Sequence, residues 1–172
     1  MKTKKLVLSG LFVAFGVILP MVFHMFNMGG PVFLPMHIPV LIAGYFLGPI
    51  YGALVGILTP VLSGLLTGMP PLVPEMPIMA FELCGYGLIT GLIFSKTNKI
   101  YVSLICAMIV GRLFAIVGAF VVSLTLAPQV SPIAYVVGGL STAIPGMVIQ
   151  IIFIPVLVGF LFRNKEIAKA IA

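Results

Sequence analysis

Ile100-Tyr-Val-Ser-Leu-Ile-Cys-Ala-Met-Ile-Val-Gly-Arg112-Leu-Phe-Ala-Ile-Val-Gly-Ala-Phe-Val-Val-Ser-Leu-Thr-Leu126 is an apolar run with one charge near its middle. A membrane-spanning helix needs about 20 apolar residues, and this stretch exceeds that. A charge near the bilayer centre costs at least roughly 2.5–3.5 kcal/mol on insertion scales, so Arg112 is expected to face a bundle interior or a water-filled cavity. Glu82 is embedded in the same way, inside the run Ile78–Phe94. The other charges lie elsewhere: Lys2, Lys4 and Lys5 open the chain, Lys96 and Lys99 share one short polar break, and Arg163, Lys165, Glu166 and Lys169 close it. Glu75 falls in a Pro-rich loop.

The whole composition agrees with that stretch. Of 172 residues, 62% are hydrophobic and 7% charged, which no soluble domain tolerates. At 1.5 Å rise per residue the length accommodates about six short-to-normal spans and little else. The expected fold is therefore an all-α integral membrane protein, a compact six-helix bundle forming a single domain over residues 1–172. No Gly-x-x-x-x-Gly-Lys-Ser/Thr loop is present, so the chain has no P-loop with which to hydrolyse ATP. The formal charge of +6 sits at segment ends, as topology signals do, and does not indicate nucleic acid. Cys84 and Cys106 fall inside spans without metal-ligand spacing and read as small apolar residues. The N-terminal run continues through Val22 into His24, Met25 and Phe26 with no small-residue cleavage site, so it reads as a retained first helix.

The spans follow from Gly/Pro punctuation. They cover about Lys5–Phe23, His37–Leu47 (short for a span), Ile50–Leu66, Ile78–Phe94, Ile100–Leu126 and Tyr135–Phe162, the last with an expected bend at Pro145. The loop from Asn27 to Met36 carries paired Gly and two Pro and is expected to break any helix. With six spans both termini share one side, and that side holds eight of the nine Lys and Arg. The positive-inside rule then puts both termini in the cytoplasm and the Pro/Gly loops outside. Small residues recur at helical spacing, as in Gly48-x-x-x-Gly52-x-x-x-Gly56 and Gly87-x-x-x-Gly91, and such stripes let helix backbones approach closely. Gly10-x-x-x-Ala14 is another, and its stripe has two readings: packing within the bundle, or a face for another subunit.

Candidate site residues gather around the two embedded charges. Roughly one to two helical turns of depth separate Glu82 from Arg112, within partial reach of an arginine. Two readings are open: an ion pair that locks two helices together, or an Arg112 fork offered to a ligand carboxylate or phosphate with Glu82 holding a hydroxyl or amide. Tyr86 shares the Glu82 face at i, i+4. His37 opens the second span and reads either as an interfacial group or as a ligand contact; His24 reads as interfacial. Asn27, beside Gly29 and Gly30, is a candidate lid residue, and Gln150 must find a partner in a neighbouring helix or a ligand. Met36 and Phe81 are candidates for an apolar wall. No nucleophile with a base and no metal set emerges, so the chain is not expected to be an enzyme.

Several stretches together resemble the substrate-binding S component of energy-coupling factor (ECF) transporters, which take up vitamins in prokaryotes. The resemblance covers nearly the whole chain. It rests on Gly10-Leu-Phe-Val-Ala14 where the family has Ala-x-x-x-Ala, on Leu34-Pro-Met-His-Ile-Pro-Val-Leu, on Leu58-Thr-Pro-Val-Leu-Ser-Gly-Leu-Leu-Thr-Gly-Met-Pro-Pro71 and on Met79-Ala-Phe-Glu-Leu-Cys-Gly-Tyr-Gly87. These are similar to a subgroup linked with pantothenate. The resemblance implies a multi-pass protein of the prokaryotic plasma membrane that binds its vitamin near the outer face and carries no cofactor. It implies docking through Gly10 and Ala14 on a transmembrane coupling subunit, with two cytoplasmic ATPases as further partners that hydrolyse the ATP. Pantothenate's carboxylate suits Arg112, its hydroxyls and amide suit Glu82, Asn27, His37 or Gln150, and its gem-dimethyl group suits Met36 or Phe81. Another small vitamin such as pyridoxine, with Glu82 as anchor, is the alternative within the family. A structural or interaction protein with Glu82–Arg112 as a packing ion pair is the alternative outside it.

Overall fold

A computed structural model describes residues 2–25 and 29–163, and these form helices joined by short connections, with no strand among them. In order they are α1 (Lys2–Met25), α2 (Gly30–Phe33), α3 (His37–Leu47), α4 (Pro49–Thr67), α5 (Glu75–Thr97), α6 (Ile100–Thr125) and α7 (Pro132–Arg163). Helices dominate because lipid offers no hydrogen bonds to the backbone, which must satisfy itself within each segment. Six segments are long and apolar enough to cross a membrane, with α2 and α3 together counting as one, Gly30–Leu47.

Two boundaries differ from the sequence reading, and the short α3 keeps the bounds expected for it. The Asn27–Met36 stretch does not break every helix: Pro31 sits in the first turn of α2, where its missing N–H is no loss. Glu75 is not in a loop but is the first residue of α5. Finally, α3 is short because it is interior, with all of its residues but Ile38 buried among its neighbours. A helix with no lipid-facing side reads as continuously apolar, as His37–Leu47 does.

The element at the centre is α5, which packs on α3, α4 and α6, while α1 covers α3 and α4, and α7 closes against α2, α3 and α6. The glycine stripes let α4 and α5 touch backbone to backbone. A Cβ at Gly87 would collide with the Gly52 carbonyl, and one at Gly56 with the backbone at Leu83 and Cys84. Gly48 holds φ 90° between α3 and α4, a backbone that side-chain-bearing residues avoid. Lys5 Nζ donates to the Leu47 carbonyl at 3.1 Å, Tyr45 Oη to that of Ile100 at 2.8 Å, and the Phe162 ring packs on Phe46 and Phe94. These contacts place the described chain ends, Lys2 and Arg163, at the same end of the bundle. The opposite end holds the cavity.

Candidate functional site

A cavity of about 520 Å³ opens among α1, α2, the start of α3, the α4–α5 connection, α5, α6 and the first turns of α7. That volume suits a small-molecule site, which typically runs to about 300–1,000 Å³. Its wall is mostly Pro, Met, Gly and Ala, and its ionisable groups are His37, Glu75, Glu82 and Arg112, with the Tyr135 phenol nearby on α7.

Three of those groups meet in one place. Arg112 Nη1 donates to Glu82 Oε1 at 2.8 Å, and His37 Nε2 lies 3.3 Å from the same oxygen. The depth gap expected from sequence is closed by the reach of the arginine, and the two embedded charges pair directly. His37 belongs because the turn after α2 delivers it: Leu34 caps α2 at φ 51° and the chain then enters α3 at His37. A leucine held at positive φ is uncommon, and Leu34 is buried where it takes this conformation. The Tyr86 ring stands edge-on to the His37 ring at 5.0 Å between centroids. It is wholly buried, and α6 makes room for it with Gly111, where any side chain would strike the ring.

The hydrogen bonds within this group are incomplete. The buried polar side-chain atoms without a partner among the described residues are His37 Nδ1, Tyr86 Oη, Arg112 Nε and Nη2, and Gln150 Oε1. Buried polar atoms are almost always paired, and one left over in a native protein calls for a reason. In Arg112 the two unused nitrogens form one edge of the guanidinium, the side-on fork that accepts a carboxylate or phosphate in two parallel bonds. With Nε2–H directed at Glu82, a neutral His37 presents Nδ1 as an acceptor. Gln150 donates through Nε2 to the Leu34 carbonyl over a long 3.4 Å, leaving its Oε1 as a second acceptor. The group therefore holds two unpaired donors on Arg112 and unpaired acceptors on His37 and Gln150, all buried.

Of the residues singled out from sequence, Met36, His37, Glu82 and Arg112 line the cavity. Tyr86 and Gln150 lie fully buried behind them, linked to the wall through His37 and Leu34. Phe81 is not in the wall. It is partly exposed and packs its ring toward Gly118 of α6. Adjacent helix positions point in different directions, so a residue next to Glu82 leaves its face. Asn27 lies outside the described residues, as do Lys165, Glu166, Lys169 and the side chain of His24. Gly10 and Ala14 sit on the exposed face of α1, and nothing stands within 4 Å of where a Cβ on Gly10 would be. Glu75, Met79 and Tyr135 line the cavity and were not expected from the sequence. The spacing Glu75, Met79, Glu82, Tyr86 follows one helical face and marks the first two once α5 is extended to Glu75. Among the described residues no group of three His, Cys, Asp or Glu is placed to hold a metal ion.

Comparison with known proteins adds one finding. No curated protein and no solved structure matches the chain. The family model for the substrate-specific component of ECF transporters matches residues 4–158, which is most of its length. That family is one of transporter subunits that bind substrate, not of enzymes. This six-span bundle with a small-molecule-sized cavity belongs to the ECF transporter substrate-specific component family.

Proposed function

We propose that this chain is the membrane-embedded vitamin-binding subunit of an ECF importer, that the cavity is its substrate site, and that the substrate is pantothenate. One observation carries the reading. Among the described residues, every buried side-chain polar atom lacking a partner belongs to His37, Tyr86, Arg112 or Gln150, which lie at the cavity or one contact behind it. The carboxylate of pantothenate meets Nε and Nη2 of Arg112, while Nη1 stays on Glu82. Its amide and hydroxyls then have His37 in the cavity wall, with Gln150 and Tyr86 supporting that wall from behind, and Met36 and Met79 provide apolar wall for the gem-dimethyl group.

The orientation follows from charge. The described basic residues other than Arg112 lie at the end away from the cavity, so the positive-inside rule puts both termini in the cytoplasm and opens the cavity outward. ATP is hydrolysed by partner subunits, and the exposed stripe of α1 at Gly10 and Ala14 docks the coupling subunit. Replacing Gly10 and Ala14 with Leu should therefore leave thermal stability and vitamin binding unchanged and remove both copurification with the coupling subunit and uptake. Loss of vitamin binding in that variant would move the stripe into the bundle's own packing.

The test is uptake. Prokaryotic cells expressing this chain with a coupling subunit and two ATPases should accumulate labelled pantothenate, and cells lacking any one component should not. Accumulation of a different vitamin such as pyridoxine, with pantothenate excluded, would keep the transporter and reject the substrate.

A further inference from the structure

We infer that Glu75 is a specificity-determining residue of this cavity, accepting hydrogen bonds from protic groups at the end of the substrate remote from its carboxylate. The inference rests on Arg112 as the carboxylate anchor. Glu75 lines the same cavity, and its carboxylate makes no hydrogen bond or ion pair with any described residue. It opens α5 at the rim, half-buried, while Glu82 lies deeper on the same face. Seven residues separate the two carboxylates, and at 1.5 Å per residue that is about 10 Å along the helix, with Met79 between them on the same stripe.

Charge makes the arrangement directional. Glu82 neutralises Arg112, so the cavity carries the surplus negative charge of Glu75 at its mouth. An anionic substrate is then admitted in one orientation only. Its carboxylate goes to the Arg112 fork, and the end that reaches Glu75 is favoured when it donates hydrogen, since the Glu75 carboxylate can only accept. A second acidic group at that end is rejected for the same reason. Span is of the same order: about nine bonds separate a pantothenate carboxylate oxygen from its terminal hydroxyl, equivalent to three extended residues or about 10 Å, comparable to the helical rise from Glu75 to Glu82. The substrate class read from this geometry is a monocarboxylate carrying hydroxyl or other N–H and O–H donors about 10 Å from the acid.

The experiment is a binding cycle on the full chain purified in detergent. Pantothenate is compared with N-(3,3-dimethylbutanoyl)-β-alanine, the same skeleton without its two hydroxyls, on wild type, Glu75→Ala and Glu75→Gln. Glu75→Ala should weaken pantothenate about tenfold or more and leave the deoxygenated analogue bound as well as before or more tightly. Glu75→Gln, which keeps an acceptor oxygen, should lose only a few-fold. Equal losses for both ligands in Glu75→Ala, or no loss for either, would overturn the role of Glu75 while pantothenate binding by wild type keeps the carboxylate anchor standing. Absence of pantothenate binding by folded wild type would instead reject the substrate reading, and this inference with it.

Discussion

Arg112→Ala should abolish ligand binding and weaken the fold at once. Arg112 is the only guanidinium or ammonium group within reach of Glu82 among the described residues, and Glu82 is buried. Removing one partner of a buried ion pair typically costs about 3–5 kcal/mol, because the remaining charge keeps its desolvation penalty. Losing the carboxylate fork separately reduces affinity for pantothenate by about a hundredfold or more, the usual consequence of removing a charge-assisted bidentate contact. The two effects are separable. In the double variant Glu82→Leu/Arg112→Met no charge is left stranded, so stability should return toward wild type while binding stays absent. Thermal melting and equilibrium binding on the three proteins decide it. A double variant that still binds pantothenate would make the pair a packing device and nothing more.

Gly87→Val should be the most damaging single change outside the cavity. The helices α4 and α5 meet where Gly52 and Gly56 face Gly87 and Leu83, and the atom a new Cβ would strike is the backbone carbonyl of Gly52. A side chain can turn aside, but a backbone oxygen in a hydrogen-bonded helix cannot, so α4 and α5 must separate along their length. Overpacking at such a site costs about 3 kcal/mol or more, and in a chain of this size that lowers the melting temperature by about 10 °C. Gly159→Val on α7 is the matched control, since nothing lies within 4 Å of its Cβ position. Equal melting of the two variants would mean that the close approach of α4 and α5 is not what holds the bundle together.

Much of this was legible in the chain, for identifiable reasons. Apolar runs show themselves by length, so five of the six spans appear within three residues of where they lie, and the second lacks only the α2 turn. Glu82 and Arg112 stand out because charge is rare in such runs, and Tyr86 follows from helical spacing. What sequence does not display is who faces whom. His37 meets Glu82 across 45 positions of chain, and only the strained turn at Leu34 brings it there. Glu75 was hidden because proline on either side reads as loop, whereas Pro77 sits in the first turn of α5, where proline is tolerated. Phe81 misled for the opposite reason: proximity in sequence to Glu82 is not proximity in space on a helix. The burial of α3 is a property of its neighbours and is not written in His37–Leu47 itself.

The measurement that bears most directly on the central claim is thermal stabilisation of the detergent-purified chain, alone, against a panel of B vitamins and their precursors. A ligand that binds only the folded state stabilises it by about 2.7 kcal/mol at a hundredfold excess over its dissociation constant. The account predicts a rise in melting temperature with pantothenate that disappears in Arg112→Ala. A folded protein whose melting temperature no member of the panel shifts would contradict it.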